Sequence, residues 1–134
     1  MSMFRTWATL APISGALSVG IGAFAAHAIR DPHLAELLRT GAHYQFMHTM
    51  AAIASLTFWN WGAVRARFAP PLFFTGILLF SGSLYALALG APRITGIITP
   101  FGGLSFIAGW LVLASAGPKA IARFEKPPFD RDAP

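Results

Sequence analysis

"TWATLAPISGALSVGIGAFAAHAI", residues 6–29, holds no Asp, Glu, Lys or Arg in 24 positions, and Arg5 and Arg30 bracket it. The interval then recurs. Twenty-five residues without such charges separate Arg39 from Arg65, 25 separate Arg67 from Arg93, and 25 separate Arg93 from Lys119. A helix needs about 20 apolar residues to cross the hydrocarbon layer, plus a little interface at each end. Four matched intervals predict four transmembrane helices, at residues 7–29, 44–63, 70–91 and 99–117. The expected fold is therefore all-α: a four-helix transmembrane domain over 1–118, followed by a polar cytoplasmic tail over 119–134. The first interval is too long for the apolar region of a cleaved signal, which runs about 7–15 residues, so it reads as a retained span despite its "AFAA".

Composition agrees with a membrane class. Hydrophobic residues make up 55% of the 134 and charged residues 11%, with a mean hydropathy of +0.59. Soluble domains carry about 25% charged residues, so this chain could not cover a water-facing surface. It has no cysteine, which excludes disulfides, thiolate metal sites and cysteine nucleophiles. The net charge of +5 does not point to nucleic acid, because the cations mark the ends of the apolar runs and form no patch. The expected partner is the lipid bilayer.

The cations also set an orientation. With four spans, both termini and the 64–69 turn share one side, which carries Arg5, Arg65, Arg67, Lys119, Arg123, Lys126 and Arg131. The other side carries Arg30, Arg39 and Arg93. The positive-inside rule then puts both termini in the cytoplasm of a bacterial inner membrane. Trp7, Trp59 and Trp61 fall at the cytoplasmic interface, where an aromatic belt belongs.

The connections carry helix signals of their own. Asp31 followed by Pro32 reads as cap and first helical position. Leu34, Leu37 and Leu38 share a face, so a short amphipathic helix is expected in the outer interface, with Gly41 bending the chain into the second span. Pro70 and Pro71 suit the start of the third span. In "GAPRITGIITPFGG", Thr99 and Pro100 again read as cap and first position. The preceding "ITGII" is either non-helical backbone covered by protein or the start of a proline-kinked helix.

Small residues recur at helix-packing spacings. Ser14, Ser18, Gly22 and Ala26 run at intervals of four in the first span. Gly76, Ser83 and Gly90 run at seven in the third, as do Gly102, Gly109 and Ala116 in the fourth. Such stripes let helix backbones approach closely in lipid. They suit a compact bundle and equally a homo-oligomer or a larger membrane assembly.

Three stretches then become recognisable: Gly22-Ala23-Phe24-Ala25-Ala26-His27, Tyr44-Gln45-Phe46-Met47-His48 and Thr99-Pro100-Phe101-Gly102-Gly103. In this order and spacing they resemble the small membrane proteins of domain-of-unknown-function family 423, to which the vertebrate transmembrane protein 256 is similar. Ala25 stands where many relatives have glycine. The resemblance runs from the first span through the fourth and implies a four-span membrane protein. It brings no catalytic residues with it.

All four histidines lie between residues 27 and 48. His33 and His43 are expected to be solvated at the headgroups. Tyr44, Gln45 and His48 share a helix face, and His27 and His48 are expected at one outer-leaflet depth beside the Thr99 helix start. His27, Tyr44, Gln45, His48 and Thr99 thus form a candidate polar cluster. Its first reading is an interhelical clamp of hydrogen bonds. The alternative is a small-ligand, proton-relay or transport site built on His27 and His48, and a weaker one is a bis-histidine haem or metal site. No metal or cofactor is assigned. Trp110, inside the fourth span, needs a partner for its indole N–H. Every acid lies in the outer loop or the tail, so no paired-carboxylate or Ser–His–acid arrangement can be assembled within the bilayer. The expected protein is a structural or accessory membrane component without catalysis.

Overall fold

Ser2 opens the first helix, its hydroxyl accepting the Arg5 N–H. Helix α1 then runs Met3–His27. The computed structural model describes residues 2–125, and every regular element among them is helical. Asp31 caps α2, its Oδ1 accepting the N–H groups of His33 at 2.8 Å and Leu34 at 3.1 Å, with Pro32 at the first position. This is the arrangement that satisfies the open donors of a helix start.

Helix α2 runs Pro32–Asn60 without interruption. The expected interfacial helix and the second span are therefore one 29-residue rod, and Gly41 is not a bend. Gly41 keeps helical backbone, since among the described residues only Gly62 and Gly90 have positive φ. Its missing side chain serves another purpose. A Cβ at Gly41 would run into the Tyr85 ring.

Gly62, at φ 96°, turns the chain out of α2 into a 3₁₀ turn, Val64–Phe68. Helix α3 follows over residues 69–88. It is α-helical at Ala69–Gly76, widens to a π turn at Ile77–Ser81 and is α-helical again at Gly82–Ala88. The Gly82 N–H reaches back five residues to the Ile77 carbonyl. Gly90, at φ 94°, closes α3. The "RITGI" segment is a 3₁₀ turn, Arg93–Ile97, that leads directly into α4, Thr99–Glu125. This outcome lies between the two readings of that connection. Helix α4 passes through Pro118, so residues 119–125 of the expected tail are helical, and 126–134 lie outside the described residues.

Among the described residues three helical stretches are long and apolar enough to cross a membrane: Met3–His27, Val64–Ala88 and Arg93–Ala122. Helix α2 has the length but not the apolarity. It carries Glu36, Arg39, His43, Gln45 and His48, so only three of the four expected spans stand out by composition. Yet α2 is central. Helix α1 packs chiefly on it from one side, and α3 and α4 pack on it and on each other.

The distribution of side chains is inverted relative to a soluble protein. Gln45, His48, Thr49, Ser14, Ser55 and Ser81 are buried, while Leu17, Leu78, Leu104 and Leu111 are exposed. Exposed large apolar groups on every helix, Phe46, Met47 and Met50 of α2 included, suit a surface that contacts lipid.

Candidate functional site

The polar interior is organised by Gln45. Its Nε2 donates to the Ser14 carbonyl at 2.9 Å and to Ser14 Oγ at 3.2 Å. A carbonyl can only accept, which orients the amide and turns Oε1 the other way. Oε1 accepts from Tyr85 Oη at 2.7 Å. One side chain of α2 therefore holds α1 and α3 together. Thr49, one turn further along α2, pairs its hydroxyl with Ser14 Oγ at 2.8 Å. On the α3 side, Ser81 Oγ donates to the Gly41 carbonyl at 2.7 Å. Ser81 and Tyr85 are four residues apart, so both face α2, and the missing Cβ of Gly41 makes room for the Tyr85 ring.

A second group of residues lies on the neighbouring face of α2. His48 Nδ1 is 2.7 Å from the Tyr44 carbonyl, so Nδ1 carries the hydrogen and Nε2 of the neutral ring is an acceptor. The imidazole stacks on Phe106 of α4, with centroids 3.5 Å apart and planes at 8°. Tyr44 packs on Phe80 at 4.4 Å, and Trp110 meets Phe73 edge-on at 5.4 Å. Between α2, α3 and α4 these rings bound a cleft of about 420 Å³, lined by Tyr44, His48, Phe80, Gly103, Phe106 and Trp110 among others. Trp110 is half-exposed and its N–H has no hydrogen-bond partner among the described residues, where a carbonyl or hydroxyl was expected.

The expected cluster does not assemble as one site. A Cβ on Gly22 would touch Ala42, and one on Gly15 would touch Thr49. This antiparallel register sets His48 level with Ala16, the middle of α1, and His27 level with Leu37. The two histidines are then about 16 Å apart along the bundle, at 1.5 Å per residue. The shared outer-leaflet depth is overturned because α2 does not break at Gly41. His27, the last residue of α1, is exposed, and the pair is too far apart to ligate one haem iron. Among the described residues no three His, Asp or Glu side chains gather as metal ligands. Thr99 is engaged elsewhere, its hydroxyl 2.6 Å from Ser83 Oγ. His33 and His43 are exposed.

The packing residues divide as well. Ser14 and Ser18 are buried against α2, Gly22 is half-buried and Ala26 is exposed. The buried face of α1 is Ala11, Ser14, Ser18 and Ala25, because a strict interval of four drifts about 40° per step from a helix of 3.6 residues per turn. On α3 and α4 the small residues admit aromatic rings or backbone. A Cβ on Gly76 would strike Phe106, one on Gly109 would strike Phe73, and one on Gly102 would strike the backbone of Phe80. Ser83 is buried, whereas Gly90 is exposed and ends the helix.

Residues 21–103 match the family described as protein of unknown function DUF423. The chain belongs to the DUF423 family. It is 42% identical over 119 residues to a UPF0382 membrane protein of Haemophilus influenzae, covering 84% of this chain and 93% of that one. It is 36% identical over 121 residues to the UPF0382 membrane protein YwdK of Bacillus subtilis, covering 86% and 98%. A Schizosaccharomyces pombe relative, UPF0382 membrane protein C1782.12c, is 36% identical over 113 residues, covering 78% and 94%. No solved structure gives a significant match. This DUF423 chain is a membrane protein.

Within it, the sequence pointed to Gln45 and Ser14 but not to Thr49, Ser81 or Tyr85 as their partners. Tyr85 carried a usable signal. A tyrosine in the middle of a charge-free run needs a hydrogen-bond partner when its ring is covered, and Gln45 is the longest amide available to it.

Proposed function

We propose that this DUF423 protein crosses the bilayer four times, with both termini in the cytoplasm of a plasma (inner) membrane. We propose further that it acts there without catalysis, as a structural or accessory component. The observation that carries this reading is Gln45, whose three hydrogen bonds hold α1, α2 and α3 together. Such a clamp is useful where water cannot compete and no hydrophobic drive holds helices together.

Two features support α2 as a span. Its length matches α1, and its polar side chains turn into protein while Phe46, Met47 and Met50 turn outward. A polar helix can cross lipid when its neighbours cover it. The N-terminus, the 60–68 turn and the end of α4 share one end of the bundle. Arg5, Arg65, Arg67 and Lys119 are at that end, and Arg30, Arg39 and Arg93 mark the other. The positive-inside rule then favours cytoplasmic termini. Absence of catalysis is supported by the position of the acids. Asp31 caps a helix and Glu36 is exposed near the same end.

A reporter fused after Pro134 is expected to be active only in the cytoplasm, and a cysteine placed at Ala91 is expected to be labelled only from outside. Labelling of both from one side would remove the four-span reading. Reconstituted in liposomes, the protein is expected to move no solute or ion. Sustained flux that scales with protein content would replace the accessory role with a transport one.

A further inference from the structure

We propose that the cleft between α2, α3 and α4 binds a membrane-soluble hydroquinone-type ring, held by a phenolic O–H donated to His48 Nε2. The inference starts from an incomplete hydrogen bond. His48 is 4% exposed and its Nδ1 is used by the Tyr44 carbonyl of its own helix. Nε2 sits on the far edge of the imidazole, away from the α2 backbone, and has no partner among the described residues. An acceptor with no donor is unfavourable where its surroundings are hydrocarbon and not water, and His48 lines a cleft large enough to admit a small ring.

Three properties of the cleft define the occupant. The bare group is an acceptor, so the ligand must donate. The walls are aromatic, with Phe106 stacked on His48 and with Tyr44, Phe80 and Trp110 around it, so the donor is best carried on a flat apolar ring. The third property is depth. His48 lies level with the middle of α1, and on the four-span reading proposed above this is the hydrocarbon interior, beyond the reach of phospholipid headgroups. A molecule whose polar head itself dissolves in the hydrocarbon layer satisfies all three. Tyr44 and Trp110 line the same cleft, and neither the Tyr44 hydroxyl nor the Trp110 N–H has a hydrogen-bond partner among the described residues. The step is binding alone, and no electron or proton is transferred in it.

The test uses the purified full-length protein in lipid nanodiscs, titrated with an alkyl hydroquinone and with its dimethyl ether, which keeps the ring and loses the donors. Binding is read by calorimetry and by quenching of tryptophan fluorescence, with Trp110→Phe identifying the cleft's share of the signal. The hydroquinone is expected to bind roughly tenfold or more tightly than the ether, the usual scale for one unmatched buried hydrogen bond. His48→Phe, which keeps a flat ring against Phe106, is expected to erase that preference. Gly103→Ile provides an independent variant. A Cβ at Gly103 meets no protein atom within 4 Å and Gly103 lines the cleft, so a larger side chain starts in open space at the cleft wall; with the thermal stability of the variant checked alongside, binding is expected to be lost. Equal binding of the two probes overturns the proposal, as does no binding to the wild type or unchanged binding in Gly103→Ile. A dimer that binds neither probe and dissociates on Gly103→Ile would assign the cleft to a second copy of the chain instead.

Discussion

Two interfaces meet at α2 and α3, and they are held in different ways. Between α1 and α2 the contact is polar: Ser14, Gln45 and Thr49 form a hydrogen-bonded cluster among small side chains. Between α3 and α4 the contact is steric. Gly76, Gly102 and Gly109 receive Phe106, the Phe80 backbone and Phe73, and among the described residues hydrogen bonds cross from Ser83 to Thr99 and from Ser105 to the Leu72 carbonyl. Lipid removes the hydrophobic drive between helices, leaving polar pairing and close packing as the means of association. Polar pairing dominates on one side of the bundle, and close packing with a few hydrogen bonds on the other. The difference teaches where it tolerates change, since a hydrogen bond can be lost singly whereas a glycine contact fails all at once.

The steric interface should therefore break first and hardest. Gly102→Val places a Cβ against the backbone of Phe80 at the π turn, and backbone cannot step aside as a side chain can. A loss of about 3 kcal/mol or more is expected, at the upper end for overpacked sites. It would be read as failure to recover folded protein or as a collapse of thermal stability in detergent. Recovery of Gly102→Val with wild-type stability would mean that α3 and α4 do not approach as closely as described.

On the polar side, Gln45→Leu keeps the size of the side chain and removes three hydrogen bonds. Interhelical hydrogen bonds in membranes are worth about 0.6 kcal/mol on average and up to about 1.7, so a loss of about 2 kcal/mol is expected. A double-mutant cycle with Tyr85→Phe should show coupling, because Tyr85 Oη donates to Gln45 Oε1. Additive effects would mean that the two groups do not share a bond.

Gly41→Ala joins the two modes of contact. The added methyl meets the Tyr85 ring, so the expected harm is displacement of Tyr85 from Gln45, about 1 kcal/mol on the scale of one membrane hydrogen bond. In a Tyr85→Ala background the same substitution should become neutral or stabilising, since alanine favours a helix interior over glycine by about 1 kcal/mol. If Gly41→Ala is equally harmful in both backgrounds, the glycine serves the backbone and not the ring.

This position also shows how far the sequence could be read. The charge-free intervals located the helices because the hydrocarbon layer imposes one length on every span, and Asp31-Pro32 marked the start of α2 through local chemistry alone. Gly41 was misread as a bend because its use depends on a ring 44 positions away. His27 and His48 were paired for the same reason. Once the bend was assumed, one helix became two and His48 rose to the outer leaflet. Gln45 was legible as a buried polar group, but its partners belong to the register between helices, which periodicity within one helix does not contain. The stripe ending at Ala26 failed on geometry, since the register drift carries it off the buried face.

The smallest effect is expected at His48, and it separates the two faces of α2. Among the described residues its only hydrogen bond stays within its own helix, to the Tyr44 carbonyl, and it meets α4 through rings, stacked on Phe106 and edge-on to Trp110. It is therefore not the interhelical clamp that its place in the sequence suggested. His48→Phe preserves the stack, and the Tyr44 carbonyl stays within helix α2. The one bond lost lies within α2 and does not join two helices, so stability is expected to change by about 0.5 kcal/mol, near the average for a single membrane hydrogen bond. Measured beside Gln45→Leu, the pair distinguishes a residue that holds the bundle from one held by it. A loss at His48 as large as that at Gln45 would make the aromatic face a second structural clamp, and the distinction between polar and steric interfaces would no longer describe the bundle.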